Sequence, residues 1–206
     1  MNSNSKGGEW KDSATLLQEI GAIKFGKFTL TSGKTSPYYV DLRLAPSHPE
    51  VLRKLRNLCV EIIQKIDDPV DKLAGVPTSG LPLATAVGLK LDLPLIFARK
   101  NRKLHGGQKL IEGSLNPGEK VLLIDDVATT GGSIESAAEK IKECGGEVHH
   151  AVVVIDRNEG AREKLKAKGL DLHACMEIDE VVKHLHDAGI LEERHFSSVM
   201  NYLHGN

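Results

Sequence analysis

From residue 48 onward, short aliphatic runs alternate with amphipathic stretches. His48-Pro49-Glu50 opens a segment in which Leu52, Leu55, Cys59, Ile62 and Ile66 recur at helical spacing, and Pro69 ends it. Strands are predicted at 72–76 (KLAGV), 94–98 (PLIFA), 120–124 (KVLLI), 148–155 (VHHAVVVI) and 170–176 (LDLHACM), most of them separated by enough chain for a helix. Between 132 and 144, Ile134, Ala137, Ala138 and Ile141 share one helical face, Glu135 and Glu139 lie on the other, and Gly145-Gly146 supplies the stop. This order predicts an α/β fold: a mostly parallel, Rossmann-like sheet flanked by helices. The stretch 12–45 has a different rhythm. A short helix (SATLLQEIGAI) precedes FTLTSGKTSPYYVDLR, which reads as strand, turn, strand. The expected division is therefore a polar tail at 1–11, a small N-terminal subdomain at 12–45 and a core at 46–206. The terminal LEERHFSSVMNYLHGN reads as a helix burying Phe196, Met200 and Leu203 against the core or against a second copy.

Composition narrows the function classes. The 206 residues carry 27 Lys+Arg against 28 Asp+Glu, a formal net charge of -1. No global basic field advertises nucleic acid or an anionic membrane, so any work on anions is local. Cys59, Cys144 and Cys175 are odd in number and far apart in sequence, which suits reduced thiols in a cytoplasmic protein. The N-terminus has no apolar signal region, and AVVVI at 151–155 is too short to span a bilayer. His149-His150 on a strand point to opposite faces, and His184 and His186, two apart on a helix, also diverge. Neither pair suits a metal.

The chemistry concentrates in VLLIDDVATTGGS, 121–133. In an open parallel sheet, ligands bind beyond the carboxyl ends of the strands, and Asp125 and Asp126 follow such a run directly. Val127, Ala128, Thr129, Thr130, Gly131, Gly132 and Ser133 then lead into a helix. The N-terminal N–H groups of that helix attract phosphate, while the glycines admit it and the hydroxyls donate to it. Carboxylates repel phosphate, so their own partners are ribose hydroxyls or Mg2+. A phosphorylated ribose meets both needs. The competing reading makes DD a solvated turn and TTGGS a simple helix cap. Both nucleotide fingerprints fail: GVPTSG at 75–80 has the P-loop glycine spacing but continues Leu-Pro, and no G-x-G-x-x-G occurs. A second stretch, FARKNRKLHGGQKLIEG at 97–113, packs Arg99, Lys100, Arg102, Lys103, His105 and Lys109 into eleven residues with a Gly-Gly pair. It reads either as a lid over pyrophosphate or as a solvated basic loop.

VLLIDDVATTGGS resembles the phosphoribosyl-pyrophosphate (PRPP) binding motif of type I phosphoribosyltransferases. The R-K-x-x-K-x-H-G pattern followed by I-E-G resembles the mobile catalytic loop, here 99–113, of the orotate phosphoribosyltransferases. FTLTSGKTSPYYVDLR is similar to that family's hood, GVPTSGLPLATAVG to its pyrophosphate-side loop, and VVVIDRNEGAREKL to its strand with a base-binding arginine. The resemblance spans roughly residues 20 to 185.

It implies the type I phosphoribosyltransferase fold with an N-terminal hood, and PRPP contacts at Arg99, Lys100, Lys103, His105 and 125–133. The implied catalytic groups are Lys103, His105, Asp125 and Asp126. Orotate contacts are implied at Thr129 and Arg157, helped by backbone near Tyr38 and Tyr39. Implied too are Mg2+ held mainly through PRPP and a homodimer with shared sites. Many relatives carry lysine at Thr31 and a basic residue near Ser79, so a lysine contact from either place is not carried over. A purine salvage transferase should lack both the basic-loop pattern and SPYY. A PRPP-sensing regulator should add a nucleic-acid element.

Overall fold

In the computed structural model, the described residues are 8–29, 33–99 and 110–205. The helices are α1 (Glu9–Glu19), α2 (Pro49–Ile63), α3 (Gly80–Leu91), α4 (Gly132–Glu143), α5 (Ala161–Lys166), α6 (Ile178–Asp187) and α7 (Glu193–His204). The strands are β1 (Ile23–Thr29), β2 (Thr35–Val40), β3 (Lys72–Gly75), β4 (Leu95–Ala98), β5 (Ile111–Glu112), β6 (Val121–Ala128), β7 (His150–Asp156) and β8 (Asp171–Glu177). None of the described helices is long and apolar enough to cross a membrane.

The chain divides into two compact units. One comprises Leu55–Cys175. Its strands belong to a sheet ordered β5-β4-β3-β6-β7-β8, with β3 parallel to β4 and β6, β6 parallel to β7, and the short β5 antiparallel to β4. Strand alternation sorts the buried side chains to the two faces. Ala74, Val121, Leu123, Ala151 and Val153 join Ile134, Ala137, Ala138 and Ile141 of α4 in one core cluster. Gly75 is turned the other way: a Cβ there would fall 2.7 Å from Leu81 and 3.2 Å from Ala84, so its bare backbone lets α3 close on the opposite face. Helices thus cover both sides, as the near-continuous aliphatic strands require.

The other unit joins the chain up to Lys54 with the segment from Met176 onward. The sequence pattern sets 12–45 apart and leaves the segment from 176 onward with the core; in the structure that last segment groups with the N-terminal residues. Packing accounts for it. Ile178, Val181, Val182 and Leu185 of α6 are buried, His184 bonds Thr15 Oγ1 at 3.2 Å and meets the Trp10 ring edge-on at 5.7 Å. Tyr202 of α7 packs against fully buried Tyr38 of β2, ring centres 6.0 Å apart. In α7 the buried residue is Val199, whereas Phe196, Met200 and Leu203 are half-buried. Phe196 stacks on His186 at 4.2 Å.

Candidate active site

The acid pair lies inside a strand. β6 runs on through Asp125 and Asp126 to Ala128, with Asp125 opposite Val153 and Ala128 opposite Asp156. The expectation that the strand ends at Ile124 is corrected here: backbone pairing to β7 carries the two acids as ladder residues, against their weak strand preference. Alternation then sends neighbouring carboxylates to opposite faces. Asp125 is buried at 6% exposure, and Asp126 is half-buried.

Local bonds fix both carboxylates. Asp125 Oδ1 accepts the N–H of Asp126 at 2.9 Å, and Asp126 Oδ1 accepts the N–H of Val127 at 2.8 Å. Ser79 Oγ donates to the same Asp126 oxygen at 2.9 Å. In the sequence Ser79 stands out only as a departure from the family pattern; its contact with Asp126 arises across 47 residues of chain, and no local signal announces it. Burial, and then the charge of Asp126, hold the Asp125 carboxyl well above the usual carboxylate range.

Beyond Ala128 the chain forms a cradle. Thr129 is half-buried, Thr130, Gly132 and Ser133 are exposed, and Gly131 takes a left-handed conformation (φ 74°) at the cap of α4. No side chain caps that helix, and the loop bounds a cavity of about 300 Å³ lined by Asp125 and residues 127–134. An uncapped helix start with hydroxyls around it suits a phosphate, and Asp125 at its edge suits hydroxyl groups. Arg157 joins this arrangement through its backbone, whose N–H donates to the carbonyl of Ala128 at 3.0 Å. Its side chain is 8% exposed and pairs with Glu159 at 2.8 Å.

The basic stretch is described only at its two ends. Arg99 N–H bonds the Leu110 carbonyl at 2.8 Å, the Arg99 guanidinium pairs with Glu112, and Lys140 Nζ donates to the Arg99 carbonyl at 2.8 Å. The unforeseen strand β5 thus ties residues 111–112 back to β4, an antiparallel clasp too short to leave a pattern. Lys100, Lys103 and His105 lie outside the described residues, as does Thr31.

Away from the cradle, Cys59 and Cys175 bring their sulfurs within 3.7 Å although 116 residues separate them in the chain. The contact with Cys59, reinforced by burial, holds the Cys175 thiol well above its ordinary value. His150 bonds Asp68 at 2.9 Å and His173 at 3.1 Å, while His149 stands 3.8 Å from Glu147.

Residues 46–185 match the phosphoribosyl transferase domain family. The chain is 40% identical over 192 residues to an orotate phosphoribosyltransferase of Sulfolobus acidocaldarius, covering 93% of this chain and 96% of that one. It is 44% identical over 180 residues to that of Cenarchaeum symbiosum, covering 86% and 90% respectively. Among solved structures, the orotate phosphoribosyltransferase from Aeropyrum pernix superposes with a TM-score of 0.73 at 32% identity, covering 86% of this chain and 99% of that one.

Proposed function

The chain belongs to the orotate phosphoribosyltransferase family, and on that premise we propose the following division of labour among its residues. The reaction is transfer of the 5-phosphoribosyl group of PRPP to N1 of orotate, giving orotidine 5'-phosphate and pyrophosphate in pyrimidine biosynthesis. As C1–N1 forms, the electron pair of the C1–O bond leaves with pyrophosphate and N1 gives up its proton. In our reading the 129–133 cradle takes the 5'-phosphate, and Asp125 and Asp126 hold ribose hydroxyls beside the positive charge that develops at C1. The side chains of Thr129 and Arg157 receive orotate, the guanidinium facing its carboxylate. Arg99, Lys100, Lys103 and His105 face the departing pyrophosphate, with Lys103 acting mainly in the transition state.

The observation that carries this reading is the Arg157 N–H bond to the Ala128 carbonyl, because it holds the backbone of a residue with a buried side chain against the end of the strand that bears the acids. Asp125, unfavourably charged in its buried place and lining the cavity, also fits a divalent cation whose other ligands come from the substrate. Mg2+ so held would neutralise the pyrophosphate charge. We further propose a cytoplasmic homodimer in which one chain's basic loop completes the other's site. The deciding experiment gives purified protein Mg2+ and PRPP with orotate, uracil, adenine, hypoxanthine or guanine in turn, and measures pyrophosphate. Turnover with orotate and little with the rest is expected; preference for a purine would overturn the reading.

A further inference from the structure

We propose that Glu159 is a positioning residue for base recognition, holding the Arg157 guanidinium in the pose that receives the substrate's carboxylate. The proposal rests on the assignment of Arg157 to orotate. Its ground is the ion pair between Arg157 Nη2 and Glu159 Oε1 at 2.8 Å, with side chains 8% and 28% exposed.

The turn after β7 places this partner. Asn158 adopts a left-handed conformation (φ 55°) and its N–H caps Asp156 Oδ1 at 3.0 Å; Gly160 is left-handed again (φ 89°) and starts α5. Two reversals within three residues fold Glu159 back onto the residue two positions before it. The far side of the turn is also tied down, since Arg162 Nη1 donates to the Leu172 carbonyl at 2.8 Å. Glu159 therefore stands on a fixed backbone, and its carboxylate restrains a side chain that otherwise has four rotatable bonds to order on binding. A guanidinium offers five N–H donors in a rigid fork, so one carboxylate can orient it while a second is recognised along another edge. Glu159 also offsets the cost of keeping the guanidinium charge buried before substrate arrives.

The test is a kinetic cycle of Glu159→Ala, Glu159→Gln, Arg157→Ala and the Glu159→Ala/Arg157→Ala double variant, with KM measured separately for each substrate. Glu159→Ala should raise the KM for orotate about tenfold and leave that for PRPP within about twofold, since only base recognition loses its orienting partner. Glu159→Gln keeps an oxygen acceptor without a full charge, and should recover most of the effect while guarding against loss of folding. In the Arg157→Ala background the Glu159→Ala change should add nothing, because the residue through which it acts is gone. Equal shifts in both KM values, or a Glu159→Ala effect undiminished without Arg157, would overturn the positioning role alone. An unchanged orotate KM in Arg157→Ala would remove the base-site assignment of Arg157, and the proposal with it.

Discussion

Gly80 sits so close to Asp125 that a Cβ added to it would fall 2.6 Å from the Ile124 carbonyl oxygen and 3.0 Å from both Asp125 Cα and Oδ1. The start of α3 is thereby seated on the strand that carries the acid pair. The opposing atoms are mostly backbone and cannot swing aside. Gly80→Ala should therefore displace Asp125, lowering kcat/KM by on the order of 10² and destabilising the protein by about 1–3 kcal/mol. Gly132 is the informative contrast, since a Cβ there meets nothing nearer than 4.0 Å. Gly132→Ala should leave thermal stability unchanged or slightly raised, yet increase the KM for PRPP, because the space it fills is that needed by a phosphate. Unaltered PRPP binding in Gly132→Ala would move the phosphate away from this loop.

The buried acid gives a pH-dependent stability of defined sign. Asp125 has its carboxyl raised in the folded state, by burial first and by Asp126 second, so the native protein holds that proton more tightly than the unfolded chain does. Folding is favoured while the group is protonated in both states. The advantage is lost as pH rises from the unfolded value near 3.8 toward the raised folded one. Asp125→Asn removes the ionisation and should unfold at higher temperature than the parent at pH 8. The gap should narrow as pH approaches about 4. Activity should fall at least about 10²-fold in the same variant, because the charge proposed to hold the ribose hydroxyls is gone. Melting curves across pH that run parallel for the two proteins would contradict the buried-charge account.

How far the sequence discloses this site depends on whether a feature is periodic. The aliphatic runs locate β3, β4, β6, β7 and β8 within a few residues, and the stripe of Ile134, Ala137, Ala138 and Ile141 locates α4, because burial on a regular element leaves a regular pattern. The boundary inside VLLIDDVA was not legible: the acids look like loop residues, and only pairing to β7 makes Asp125 a strand position. Ser79 on Asp126, Cys59 against Cys175 and Tyr38 against Tyr202 depend on where the folded chain returns, and no short window contains both partners. The Arg157–Glu159 pair is local, yet two left-handed residues create it, and the residue types Asn158 and Gly160 are the slight hint of them.

The proposed Mg2+ makes a prediction for turnover. Chelation with EDTA should abolish pyrophosphate release, and added Mg2+ should restore it in a saturable way, since PRPP's clustered charges oppose both its binding and the departure of its leaving group. Thermal stability of the substrate-free protein should change little on chelation, as is expected of a cation held mainly through the substrate. Full turnover without metal would show that the basic residues alone neutralise pyrophosphate.

The proposed sharing of sites in a dimer makes a prediction that neither subunit can satisfy alone. Lys103 lies in the basic stretch outside the described residues, while Asp125 and Asp126 lie on β6. Lys103→Ala should lower kcat by on the order of 10² with a much smaller change in the KM for PRPP, as a contact strengthened in the transition state requires. Asp125→Asn/Asp126→Asn should be inactive through loss of the acids proposed to hold the ribose. If one chain's loop closes over its partner's acids, mixing the two inactive proteins creates heterodimers in which one site is doubly defective and the other has every group intact. Activity should then recover toward about one quarter of the parent's at equal mixing, because half the dimers are mixed and each holds one good site of two. Subunit exchange must be followed independently, by mass-tagged chains. Complete exchange with no recovered activity would show that each chain closes its own site.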